Sequence, residues 1–242
     1  MNNYKITIVH LYPDLLNLYG DKGNIECLRK RLNWRNIDTE VILYTAENEN
    51  FDFSAADIIF LGGGSDREME IVCESLKSKK EELSDFIEAG GTFIALCGGY
   101  PMLGEYYQTS EKTIEGIGIL NIKTDFLDGN RVTGNVILEC DNISHPIVGF
   151  ENHVGKTNIE SYTPFGKVIK GGGNDGKGGY EGIIYKNLTA TYLHGPLFPK
   201  NPQLCDRILL QALKTKYSDY VELPLLDDEL ELKANKYMVN RG

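Results

Sequence analysis

The first hundred residues alternate two textures, and nothing else in the chain restricts its fold as tightly. Short β-branched or apolar runs at 5–10, 40–44, 57–61 and 92–96 are separated by stretches whose apolar residues recur three and four positions apart. These are Ile25, Leu28 and Leu32, then Met69, Val72, Cys73 and Leu76, then Leu83, Phe86 and Ile87. A run such as Asp57-Ile58-Ile59-Phe60-Leu61 is apolar on both faces, which is the condition of a parallel strand covered by helices. Parallel neighbours need a crossover connection, and the helical stripes supply it. The expectation is an α/β fold in three layers, a mainly parallel sheet flanked by helices. Asn24 suits the cap of the first helix, and Gly90-Gly91 the end of the helix before the fourth strand.

Past Tyr107 the texture changes. Short strand-like pieces around 118–123, 131–139, 182–185 and 189–193 predict antiparallel strands at the edges. The stretch 171–179 holds six glycines in nine residues, with Asn174 and Asp175. A flexible surface loop is expected there, because no G-x-x-x-x-G-K-[ST] phosphate cradle occurs in the chain. Helical spacing returns at Leu204, Ile208, Leu209, Ala212 and Leu213, and an acidic, leucine-bearing stretch follows Pro224. The expected division is one domain over 1–218 and a C-terminal tail over 219–242, which packs as a helix or docks on a partner.

Composition serves to exclude. Lys+Arg 25 against Asp+Glu 35 leaves a net charge of −10, which disfavours non-specific binding to phosphate backbones. No apolar run approaches the ~18 residues of a membrane span, and no signal-peptide core follows Met1, so a cytoplasmic protein is expected. The five cysteines, at 27, 73, 97, 140 and 205, form no C-x-x-C pair, so neither a disulfide framework nor a zinc site is expected. Four of them read as small buried hydrophobes.

Cys97 is different. In an open parallel sheet ligands gather at the carboxyl ends of the strands, and two glycine-rich turns lie there, Gly62-Gly63-Gly64-Ser65-Asp66-Arg67 and Cys97-Gly98-Gly99-Tyr100-Pro101. A buried strand running straight into Cys97, with small residues after it, has the mechanics of a nucleophile elbow. The amides beyond it, Gly98 first, are placed to favour thiolate and to hold a tetrahedral oxyanion. The neighbouring turn would add a second donor from Gly63 or Gly64. A cysteine nucleophile needs a base. Of four histidines, His194 in Tyr192-Leu193-His194-Gly195-Pro196 has the suitable place, at a strand's carboxyl end with glycine beside it.

Taken together, the Cys97 turn, the Gly62–Arg67 turn and the Tyr192–Pro196 segment resemble class I glutamine amidotransferases of the cobyric acid synthase-like type, over roughly residues 4 to 215. Within that group, Leu11-Tyr12-Pro13-Asp14-Leu15, Leu18-Tyr19-Gly20-Asp21-Lys22-Gly23-Asn24-Ile25 and Gly149-Phe150-Glu151-Asn152-His153 look most like the glutaminase subunits of lipid II isoglutaminyl synthases. The resemblance implies that Cys97 attacks the side-chain amide of glutamine, that His194 protonates the departing ammonia, and that water releases glutamate from the thioester. It implies backbone oxyanion donors at Gly64 and Gly98, and Arg131 as a bidentate clamp on the substrate α-carboxylate. It implies no cofactor or metal in this chain. ATP and a divalent metal would sit on the partner, a MurT-type, Mur-ligase-like synthetase that amidates D-glutamate of lipid II to D-isoglutamine near the inner face of the membrane.

Three positions depart from the pattern. Ala95 stands where many class I enzymes have glycine, and Pro101 where cobyric acid synthase-like sequences place Gln. Pro196 replaces the glutamate that completes a triad, so the acid orienting His194 comes from elsewhere in this chain or from the partner. The nearest rival is a cobyric or cobyrinic acid system, in which the glutaminase follows an N-terminal nucleotide-binding domain, whereas this chain is expected to start at its first amidotransferase strand. A stand-alone cysteine hydrolase and a non-catalytic scaffold are the other two.

Overall fold

Burying the apolar runs on both faces decides the architecture. The computed structural model describes residues 4–18, 20–128, 131–220 and 222–241. The chain opens with β1 (Lys5–Leu11), α1 (Lys22–Asn33), β2 (Asp38–Tyr44), β3 (Ile58–Leu61), α2 (Asp66–Lys77), α3 (Lys80–Glu88), β4 (Thr92–Leu96) and the single-turn α4 (Gly99–Met102). The later part contributes β5 (Tyr106–Gln108), β6 (Thr113–Glu115), β7 (Lys123–Phe126), β8 (Val132–Glu139), β9 (Ile147–His153), β10 (Gly155–Asn158), β11 (Gly166–Lys170), β12 (Tyr180–Glu181), β13 (Ile183–Tyr185), β14 (Leu188–Thr191), α5 (Pro202–Lys216) and α6 (Glu229–Arg241).

The central sheet has the order β13-β14-β4-β3-β1-β2 and is parallel except for the antiparallel edge β13. Alternation along its strands divides the core in two. Val9, Leu11, Ile59, Leu61, Phe93 and Ala95 face α2 and α3, while Ile6, Ile8, Ile58, Phe60, Ile94 and Leu96 face α1 and α5. This is the three-layer α/β fold expected. The antiparallel strands form two smaller sheets, β10-β7-β5-β6, in which β5 and β7 run parallel, and β12-β11-β8-β9.

Some local expectations shift. Asn24 does not cap α1. The helix begins at Lys22, because the amides of Gly23 and Asn24 already bond back to Gly20 and Asp21. No strand forms over 118–122; pairing with β5 and β10 begins at Lys123. The glycine-rich stretch is not a free surface loop. Its Gly172 and Gly173 amides close on the Glu151 carboxylate at 2.7 and 3.1 Å, and buried Asn174 bonds to the Tyr100 hydroxyl and to both backbone groups of Gly182. Successive amides turned inward make an anion cradle, and here the anion belongs to the protein.

Near the C-terminus, Arg31 is buried and ion-paired with Asp206 and Asp228. Buried Asn235 of α6 donates to the carbonyls of Pro146 and Lys200 and to Asn201 Oδ1. Asn201 in turn bonds both backbone groups of Val148. Among the described residues no helix is long and apolar enough to cross a membrane.

Candidate active site

Cys97 follows β4 directly, its amide held by the Thr191 carbonyl of β14 at 2.8 Å. Its φ is +54°, a left-handed conformation that costs a non-glycine residue of order 1 kcal/mol or more. That turn lifts the side chain off the strand axis, as the small residues after it predicted. The Gly62–Gly64 turn, one strand away, closes against it. A Cβ on Gly63 would sit 2.8 Å from the Gly98 nitrogen and 3.1 Å from Cys97 Sγ, so only glycine allows this approach.

The sulfur lies against a cavity of about 360 Å³, within the range of small-molecule sites. Cys97, Gly64, Gly98, Arg131, Asn152, His153 and Tyr192 are among the residues that line it. Arg131 donates to Asn152 Oδ1 at 2.9 Å, which leaves its remaining N–H groups for an incoming carboxylate. Pro101 also borders the cavity. The Gly63 amide donates to Asp21 Oδ2 at 3.2 Å. Of the two glycines considered for the second oxyanion donor, Gly63 is therefore engaged elsewhere, and Gly64 borders the cavity beside Gly98.

A family model for the CobB/CobQ-like glutamine amidotransferase domain matches residues 7–202. The chain belongs to that amidotransferase family. Its similarity is extensive to two GatD subunits of glutamine-hydrolyzing lipid II isoglutaminyl synthase. The Staphylococcus aureus subunit is 41% identical over 240 residues, covering 99% of this chain and 97% of that one. The Streptococcus pneumoniae subunit is 37% identical over 229 residues, covering 94% and 88%. A cobyric acid synthase of Listeria monocytogenes is 31% identical over 153 residues, 60% of this chain and 29% of that protein. The fold is shared with two crystal structures of glutamine amidotransferases. One covers 84% of this chain with a TM-score of 0.56 and 13% identity; the other, from Thermotoga maritima, covers 97% with a TM-score of 0.54 and 13% identity.

In this amidotransferase His194 stands just beyond β14. Its backbone forms a bridge with Phe150 (N–H to O 3.0 Å), and its ring meets Phe150 edge-on at 5.5 Å. The side chain is buried and does not border the Cys97 cavity; the histidine that does is His153. His153 stacks on Tyr192 with ring centres 3.8 Å apart, and its Nδ1 pairs with the Gly155 carbonyl at 2.9 Å. Glu151 Oε2 is 3.7 Å from His153 Nε2. His153 and Glu151 had no role assigned from sequence, although the segment holding both carried part of the family resemblance. Glu181 was missed entirely. It is buried and accepts from Thr191 Oγ1 and the Tyr192 amide at 2.7 and 2.6 Å, pinning the end of β14.

Burial dominates the electrostatics. It pushes the Cys97 thiol up to about 12, with the Asp21 charge adding to it and the Gly98 amide opposing. The expected thiolate preference is outweighed, because α4 is a single turn with few aligned peptide dipoles. Burial, then the charges of Lys200 and His153, lowers His194 to about 4 against the pull of Glu151. At neutral pH the resting pair is thiol and neutral imidazole, and an imidazole in that form is able to accept a proton.

Proposed function

We propose that this chain is the glutamine-hydrolysing subunit of a two-chain lipid II isoglutaminyl synthase. Cys97 Sγ attacks the side-chain carbonyl of glutamine while His194, which lies outside the cavity lining at rest, comes within reach and takes the thiol proton. The oxyanion is held by the Gly64 and Gly98 amides, and the tetrahedral intermediate collapses as His194 returns the proton to the departing ammonia. Water then cleaves the thioester, giving glutamate and the free thiol. Arg131 grips the substrate α-carboxylate and sets the distance from clamp to sulfur. Ammonia passes to a MurT-type synthetase, which carries ATP and a divalent metal and amidates the α-carboxyl of D-glutamate in lipid II. The chain thus works in the cytoplasm beside a lipid-linked substrate.

The observation that carries this reading is the strained Cys97 elbow and Arg131 lining one cavity. The full-length similarity to the two GatD subunits favours lipid II over a cobyric acid system, two of whose synthases are matched over 29% and 34% of their length. Pro196 offers no acid to His194; Glu151 is a carboxylate of this chain whose charge acts on the imidazole, and its oxygens also accept the Gly172 and Gly173 amides. Docking of the partner would complete the alignment of this half of the site, which would restrain glutaminase activity in the isolated subunit. The test is ammonia release from glutamine by the chain alone and with its co-purified synthetase, each with a Cys97→Ala control. Cys97-dependent release that rises with the synthetase supports the reading, and release independent of Cys97 overturns it. An equal rate without the synthetase removes the gating.

A further inference from the structure

Asp21 occupies the N-cap position of α1, where a carboxylate ordinarily accepts the free amides of its own helix. It makes no such bond. It is fully buried, and its Oδ2 turns to the Gly63 amide instead. One turn on, buried Asn24 donates weakly to Asp21 Oδ1 (3.4 Å) and uses its own Oδ1 to accept the Phe198 amide at 3.0 Å. Between them Gly23 lies under Pro196, where a Cβ would come within 2.6 Å of the proline ring. The first turn of α1 therefore touches the oxyanion-side turn and the turn after His194 at once, although these lie more than a hundred residues apart in sequence.

We propose that this helical turn is a positioning element of the glutaminase site, in which Asp21 holds the Gly62–Gly64 turn against Cys97 and Asn24 holds the His194 exit turn in register with it. The proposal rests on the Cys97 glutaminase reading. With the Gly63 amide captured by Asp21, the Gly62–Gly63 peptide has one orientation; the Gly63 carbonyl accepts the Leu18 amide at 3.2 Å, which orients the next peptide, and the Gly64 amide remains for substrate. A group set this way acts before the substrate arrives, so its loss slows the chemical step and leaves binding by Arg131 intact. The buried Asp21 charge also opposes the Cys97 thiolate, second to burial itself. The two roles separate on substitution. Asn at this position keeps an oxygen for the Gly63 amide and loses only the charge, whereas Ala loses both.

The experiment uses the full chain co-expressed with its synthetase, with variants Asp21→Ala and Asp21→Asn, and Cys97→Ala as the control on the underlying reading. Asp21→Ala is expected to lower kcat for glutamine hydrolysis about a hundredfold with KM nearly unchanged, and Asp21→Asn to recover most of that loss. Both variants should react severalfold faster with iodoacetamide at Cys97 at pH 8, since removing the carboxylate favours the thiolate. Turnover falling while the thiol becomes more reactive is an outcome that general loosening of the fold does not produce. The proposal is overturned if Asp21→Ala retains kcat, if KM rises in parallel with the loss, or if alkylation is unchanged or slower. Should Asp21→Ala fail to fold, Asn24→Ala, which frees the Phe198 amide at the other end of the same turn, decides by the same split of kcat against KM. Hydrolysis that survives Cys97→Ala sinks the glutaminase reading, and the alkylation comparison still stands.

Discussion

The two halves of the candidate site are held by opposite means. The Cys97 half is built from consecutive β-strand–turn units: β3 and β4 lie side by side, their glycine turns close on each other, and the nucleophile is fixed by backbone strain. The His194 half is assembled from remote pieces. Phe150 bridges its backbone, Glu181 pins the strand before it, Asn24 grips the turn after it, and Asn235 reaches the same corner through Asn201. A strained turn between two buried strands has one conformation available. A corner held by hydrogen bonds from four separate segments depends on all of them at once. The nucleophile is therefore the rigid half, and the imidazole is the half whose placement remote contacts adjust.

Breaking the rigid half gives the largest effect. Cys97→Gly should abolish glutamine hydrolysis, by about 10⁴-fold or more, yet raise the stability of the chain by about 1 kcal/mol, because glycine accepts φ +54° without strain. Assays of ammonia release and thermal melts read the two together, and a lower melting temperature would remove the argument from strain.

The adjustable half is sharpened by setting its two histidines against each other. His194→Ala should cost about 10²- to 10⁴-fold in kcat, the usual worth of a general base, while His153→Ala, which removes a stacked wall of the cavity, should cost about tenfold. The reverse ranking would transfer the proton to the histidine that borders the cavity. Arg131→Lys comes next. A point charge replaces a planar fork, so KM for glutamine should rise about tenfold or more with kcat little changed, which steady-state kinetics at saturating glutamine resolves.

The smallest effect is one of pH. Burial raises Glu181 from 4.5 to about 7 and Asp21 from 3.8 to about 6, so the folded chain holds these protons more tightly, and both contributions to stability are lost as pH rises through those windows. Lowered His10 and His194, both about 4, work the other way, adding stability as pH climbs from about 4 to 6.5. Wild-type stability should therefore change little between pH 4.5 and 6. Glu181→Gln removes one falling component, so its stability relative to wild type should improve steadily from pH 4.5 to 7 in paired denaturant titrations.

The same contrast explains what could be read from residues alone. Strand and helix periodicity in the first hundred residues determined the three layers, because three of the covering helices, α1, α2 and α3, lie close by in sequence, and α5 carried a legible stripe of its own. The cysteine turn was legible for the same reason, down to the choice between two glycines that the Asp21 bond narrows. Glu181 gave no signal, since its partners at 191 and 192 meet it only through the pairing of β13 with β14. The glycine-rich stretch misled because glycine frees a loop and equally lets amides converge, and only the position of Glu151 distinguishes the two. The expected thiolate preference failed because burial depends on everything packed around Cys97, which no motif records.

The insertion of β14 between β13 and β4 carries one more consequence. β4 is buried along its whole length, and its second neighbour arrives only at residues 188–191, more than ninety positions later. Until that strand docks, β4 presents a bare apolar margin with unpaired peptide groups, the surface on which foreign chains add most readily. A fragment ending before residue 188 is thus expected to precipitate, where one missing only α6 stays dispersed.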